Sequence, residues 1–173
     1  MFRSARLPVP ARLLLLAPAL LLGGAAAKPS ALAPNLAVLK QDALPLCYDA
    51  AVFVNDRQDT ALEKRAEAKI AALLTDLKLK ASEFDTARFC DRVLSLTFDM
   101  DNATAPTLYN ADFVLETLNA YDESVDLKIA VIWNVGRWGG DPAKYSADQV
   151  TRRLDDVLNV FVQAFREDFT SLR

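Results

Sequence analysis

Two carboxylates stand at alternate positions in Asp99-Met100-Asp101-Asn102, a spacing whose oxygen ligands can hold a hard cation such as Ca²⁺. The match to a calcium loop is poor, because the sixth position is not Gly and the twelfth is Asn110, not Glu. The segment is read as a solvated strand end, with Asp99 and Asp101 as weak metal candidates and no cofactor expected. Asp99, Asp112 and Glu116 can share one sheet face, and paired acids of this kind serve glycoside hydrolysis when a cleft holds them. An acidic chain offers such trios by chance, so no catalytic residue is assigned. Asn102-Ala103-Thr104 matches the acceptor pattern for N-glycosylation.

The absence of histidine narrows the chemistry further. Without it there is no imidazole base, no Ser-His or Cys-His nucleophile pair and no His-containing zinc site. A non-enzymatic protein is therefore expected. Gly136-Arg137-Trp138-Gly139-Gly140-Asp141-Pro142 is the most unusual segment, read as a loop in which Arg137 and Trp138 form a flat contact for a ligand or partner. Its spacing is not that of a phosphate cradle. Val114 and Ile132, apolar positions on an otherwise polar strand face, complete the candidate contact set.

Cys47 and Cys90 are the only cysteines. In an oxidising compartment such a pair is most simply a disulfide, closing a loop of about 43 residues for which chain entropy gives about 4 kcal/mol at most. The oxidising compartment is itself suggested by the start of the chain. Arg3, Arg6 and Arg12 precede an apolar run from Leu13 to Leu22, and Gly23-Gly24-Ala25-Ala26-Ala27 follows. This reads as a secretory signal peptide over residues 1–27, since its apolar core is too short to span a bilayer about 30 Å thick. No cysteine stands at its end to carry a lipid anchor. Removing the three arginines takes the formal net charge from −3 to −6, an acidic balance that argues against nucleic acid or anionic membranes as partners.

The remaining chain, of about 146 residues, fits one domain. Residues 28–46, with Pro29, Pro34 and Pro45, read as an extended arm or linker that packs across it, the alternative being that Leu36, Val38, Leu39 and Leu44 dock on a partner, and residues 47–173 read as the domain itself. Tyr48–Val54 is short and apolar, as a buried strand is. Thr60-Ala61-Leu62-Glu63 reads as a capping box opening a helix with Leu62, Ala66, Ile70, Leu73, Leu74 and Leu77 on one face and Glu63, Lys64, Glu67 and Lys69 on the other. Arg92–Met100 alternates with period two, placing Leu94, Leu96, Phe98 and Met100 on one side. Ala111–Asn119 and Leu127–Val135 are two further strands around a turn at Tyr121–Ser124, the second with Leu127, Ile129, Val131, Trp133 and Val135 inward. Ser146-Ala147-Asp148-Gln149 caps a long amphipathic helix running to the end of the chain.

The order is β-α-β-β-β-α, and two helices with one apolar face each call for a two-layer α/β sandwich of the α+β class: a four-stranded mixed sheet covered on one side. If the first two strands are parallel, Cys47 and Cys90 both lie just before a strand start at one end of the sheet. The uncovered face presents Ser95, Thr97, Asp99, Asp112, Val114, Glu116, Lys128, Ala130, Ile132 and Asn134.

This layout, with its terminal helix ending in Phe161-Val162-Gln163-Ala164-Phe165-Arg166-Glu167-Asp168-Phe169, resembles small accessory proteins of the bacterial envelope, the LptE-like and TolB amino-terminal-like α/β domains. The resemblance is architectural and covers Tyr48 to Arg173. It implies a periplasmic or secreted accessory subunit with a protein partner in the envelope or extracellular space. A small-molecule or cation binder at Asp99–Asn102 or the Gly-rich segment is the alternative, and a carboxylate-dependent hydrolase the third reading.

Overall fold

The computed structural model of the chain describes residues 30–41, 45–85, 90–118 and 130–172. Residues 1–27, read as a signal peptide, the expected turn at Tyr121–Ser124, and Asn119, Leu127 and Ile129 lie outside these residues. The predicted arm is not extended where it is described. Ala33–Ala37 forms a 3-10 turn that runs into a short helix α1 (Val38–Gln41), with Pro34 in the first turn where a missing N–H costs nothing. Ala33, Leu36 and Leu39 are buried in the main core, so this segment belongs to the folded layer.

The sheet has six strands, not four. β1 (Leu46–Val54) pairs in parallel with β4 (Arg92–Asp101), which pairs antiparallel with β5 (Thr107–Thr117), and β5 with β6 (Ala130–Asp141). These four are the predicted strands. The two additions, β2 (Arg57–Gln58) and β3 (Ala81–Glu83), pair with opposite ends of β1 on its free edge. β2 exists because Asn55 and Asp56 both take the left-handed conformation, at φ 54 and 58, making a two-residue hairpin turn. Pieces of two and three residues carry too little pattern to be read from sequence.

Helix α2 (Thr60–Asp76) buries Leu62, Ala66, Ile70, Leu73 and Leu74 against the sheet. Its cap lies one residue earlier than predicted. Asp59 accepts from the N–H groups of Ala61 and Leu62 at 3.2 and 3.1 Å, a role its short carboxylate fills as well as a Thr hydroxyl. Glu63 is thereby released from the capping box and turns inward. It is buried, accepting from Gln58 Nε2 at 2.7 Å and the Val52 N–H at 3.3 Å, and so ties helix α2 to the β1–β2 hairpin.

Helix α3 (Ala147–Ser171) has the predicted capping box. Gln149 N–H donates to Ser146 Oγ at 3.4 Å, and Ser146 N–H to Gln149 Oε1 at 2.8 Å. Its aromatic stripe is core, as the spacing implies: Phe161 stacks on Phe113 at 6.0 Å, and Phe165 meets Trp133 edge-on at 5.1 Å. Arg65 and Lys69 of α2 bind Asp155 of α3 at 2.6 and 2.9 Å, clamping the helices side by side over the same sheet face.

One register differs from the expected alternation. Leu115 pairs with Trp133 but Glu116 with Val131, so Ile132 is an extra residue bulged out of the β5–β6 ladder. Trp133 and Val135 keep their inward positions. Val131 moves to the open face and Ile132, expected there, packs against the main core.

Candidate functional site

The open face of the sheet is built from alternate residues of β1, β4, β5 and β6. On its β5–β6 side, Leu108 lies opposite Gly140, Asn110 opposite Trp138, Asp112 opposite Gly136 and Val114 opposite Asn134. Trp138 is 84% exposed, Leu108 54% and Val131 55%. Among the described residues, the only other exposed large hydrophobic is Val160 of α3; Trp138 and Leu108 lie close together at one end of this side of the face, with Val131 about 20 Å along the ladder.

The Gly-rich segment is strand, not loop, up to Asp141. None of its glycines has a positive φ, so turning the chain is not their role. They serve close approach. A Cβ on Gly139 would stand 2.8 Å from Tyr109 Oη, and one on Gly140 would stand 2.8 Å from the Thr107 carbonyl oxygen and 2.9 Å from Leu108 Cδ2. The bare backbone at 140 thus lets the Leu108 side chain lean across it on the open face.

Strand geometry separates two predicted partners. Arg137 and Trp138 are adjacent in β6 and occupy opposite faces: Trp138 is on the open face, while Arg137 is opposite Ala111 on the helix side, exposed beyond the helices. Of the four predicted contact residues, Trp138 and half-buried Val114 share the open face, whereas Arg137 and Ile132 do not. Leu108 was missed because the strand was expected to begin at Ala111. The alternation of Thr107, Leu108 and Tyr109 is the signal that could have found it.

Asp99 and Asp101 are exposed at the end of β4. With Asn55, Asp56, Tyr109 and Asn110 they line an open cleft of about 490 Å³. Asp101 Oδ1 already accepts from the Ala103 N–H at 3.2 Å. Among the described residues no group of three His, Cys, Asp or Glu side chains is placed to hold a metal ion. Asp99 and Asp112 lie on neighbouring strands two residues off register, while Glu116 is about 13 Å further along β5, so the three do not converge.

Asn102 is buried, and its sequon with it. Its Nδ2 donates to the Tyr145 carbonyl at 3.0 Å, and its Oδ1 accepts from the Tyr145 N–H and Thr107 Oγ1, both at 2.7 Å. The folded chain therefore withholds the amide nitrogen that a glycan would need.

Cys47 and Cys90 form the predicted disulfide, with Cα atoms 5.8 Å apart. It lies with Val93 in a small cluster separate from the main core, at the end of the sheet far from Trp138. No helix of the described residues is long and apolar enough to cross a membrane.

The fold and this face define a mixed α/β domain with a one-sided helical layer and an apolar spot on its bare side. No protein-family model matches the sequence, and no curated protein matches it. Among solved structures the chain is similar to the PelC dodecamer from Paraburkholderia phytofirmans, at 12% identity over 72% of this chain and 87% of that one, with a TM-score of 0.37. It is also similar to a Xanthomonas campestris protein of the DUF330 family, at 14% identity over 75% and 81% of the two chains, with a TM-score of 0.29.

Proposed function

We propose that this chain is an exported, non-enzymatic accessory subunit that binds another protein of the envelope or extracellular space through the β5–β6 side of its open sheet face. One observation carries the reading. Leu108 and Trp138 stand exposed on neighbouring strands at one end of a face of mixed polarity, and a solvent-facing Trp with small and polar neighbours is a strong anchor for a protein contact. The disulfide and the Arg-rich, apolar start of the chain support export.

Cross-linking in the native compartment, followed by affinity recovery and mass spectrometry, tests this. A reproducible stoichiometric partner is expected with the native chain, lost in Trp138→Ala while the melting temperature stays within about 1 °C, because an 84% exposed side chain contributes little to folding. Undiminished recovery with Trp138→Ala would move the binding site elsewhere, and recovery of the chain alone would end the accessory reading.

A further inference from the structure

β6 is the outermost strand on one side of the sheet, and it is the only long edge among the described residues, since β2 and β3 share the other side as short pieces. Its first part is guarded. Asn35 Nδ2 donates to the Ile132 carbonyl at 2.9 Å, and the 3-10 turn packs beside it. From Asn134 to Asp141 no strand of the described residues pairs with the edge, and an open edge is a template for another strand.

We propose that a second copy of this chain adds to this open edge, antiparallel, about a two-fold axis normal to the sheet and passing through Gly139. The proposal rests on the reading of the β5–β6 side as a protein-binding surface, and names the partner that its sequence fits.

The fit lies in Arg137-Trp138-Gly139-Gly140-Asp141. With the axis at Gly139, Arg137 of each copy faces Asp141 of the other on the helix side of the joined sheet. Two cross-strand ion pairs result, of the kind that stabilises directly opposed positions. Among the described residues Arg137 makes no ion pair or hydrogen bond of its own. Asp141 uses Oδ1 to accept from the Ala143 N–H at 2.9 Å, leaving Oδ2 for a guanidinium.

On the open face the same axis sets Trp138 opposite Gly140 of the second copy. With no side chain at Gly140 in the way, the indole meets Leu108, which is opposite Gly140 in the hairpin and leans across it. The two most solvent-exposed apolar features of the β5–β6 tip, Trp138 and Leu108, cover each other twice over. Other registers lose this. An axis at Arg137 or Asp141 opposes like charges, and one at Trp138 or Gly140 leaves both charges unpaired. Pro142 ends the strand, so the pairing is short, and association in the micromolar range is expected for so small an interface.

Sedimentation equilibrium of the full exported chain, disulfide intact, over about 1–200 μM tests the pairing. The native chain should dimerise. Arg137→Asp and Asp141→Arg should each weaken dimerisation by about tenfold or more, because each homodimer then opposes two like-charge pairs. An equimolar mixture of the two variants should recover dimers, since the first carries acids at both positions, the second carries arginines at both, and every acid of one copy then meets an arginine of the other. Trp138→Ala, which leaves both charges in place, should weaken the native dimer as well, and keeps the test decisive if Asp141→Arg does not fold. A native chain that stays monomeric at the highest concentration overturns the proposal, as does a mixture no more associated than its components. A monomeric chain that still carries away a cross-linked partner refutes self-pairing and leaves the accessory reading standing; charge-complementary dimers with no other partner recovered do the reverse.

Discussion

Trp133 donates its indole N–H to Asp168 Oδ2 at 2.8 Å, joining β6 to the last turns of α3 beside the Phe113 and Phe165 rings. The same carboxylate accepts from the Ser30 N–H at 2.8 Å and from Ser30 Oγ, so it also fastens the start of the described chain. Burial works to raise the pKa of Asp168, but the hydrogen bonds from Ser30 and Trp133 outweigh it and the net shift is downward. Asp168→Ala leaves a buried indole N–H without its partner and should cost about 2 kcal/mol. Asp168→Asn keeps a carbonyl acceptor and should cost less. Urea denaturation of both variants checks the order; equal losses would mean that packing, not the hydrogen bond, sets the cost.

Asp155 should report the clamp between α2 and α3 by its titration. The hydrogen bond from Arg65 is the largest influence on it; burial opposes, Lys69 assists, and its pKa falls to about 2. A carboxyl depressed in the folded state stabilises above its unfolded pKa, near 3.9, and loses that contribution as pH falls toward about 2. Arg65→Ala should bring the Asp155 titration, followed by NMR, upward toward the ordinary Asp range, and should flatten the stability loss over that window. The effect on stability at neutral pH should be small, within about 1 kcal/mol, because the pair is partly open to solvent. An unmoved Asp155 titration would refute the assignment.

What the sequence reveals here follows the length and regularity of each pattern. Leu94, Leu96, Phe98 and Met100 alternate without interruption, and β4 lies where they place it. The Ser146–Gln149 box and the paired cysteines are equally legible, because each satisfies a local chemical demand. Period two, however, cannot register one added residue, which is why Val131 and Ile132 exchange faces at the bulge. Glycine reads as a turn when only backbone freedom is considered. In β6 its function is to admit Tyr109 and Leu108, which belong to a different strand and are invisible to a local reading. Trp138 is recoverable as a surface contact from its unusual surroundings, but the face it shares, and Leu108 with it, depends on β6 continuing as a strand to Asp141.

The Cys47–Cys90 bond joins residues 43 apart and belongs to a small cluster outside the main core. Its contribution should come mainly from restricting the unfolded chain. The paired Cys47→Ser and Cys90→Ser variant should lose about 2–4 kcal/mol, toward the upper end if the loop is unstructured when unfolded. Because the bond is at the far end of the sheet from Trp138, partner recovery by the folded variant should be unchanged. Loss of binding without loss of folding would place the disulfide within the recognition surface.

Gly139 and Tyr109 should prove energetically coupled. The Tyr109 ring is buried, stacked on Phe98 at 6.0 Å and covered by the Arg153 guanidinium at 5.4 Å, so it has little room to withdraw. A Cβ at position 139 would meet its Oη, Cε1 and Cζ at 2.8, 2.9 and 3.0 Å. Gly139→Ala in the middle of a strand would ordinarily stabilise slightly, since glycine is the less favourable residue there. Here the collision should reverse the sign, with a loss of about 1–3 kcal/mol. Tyr109→Ala removes the obstacle, so Gly139→Ala made in that background should cost nothing or recover some stability. A coupling of about 1 kcal/mol or more in the double-mutant cycle is expected, and strictly additive losses would show that the glycine is required for some reason other than the ring that lies over it.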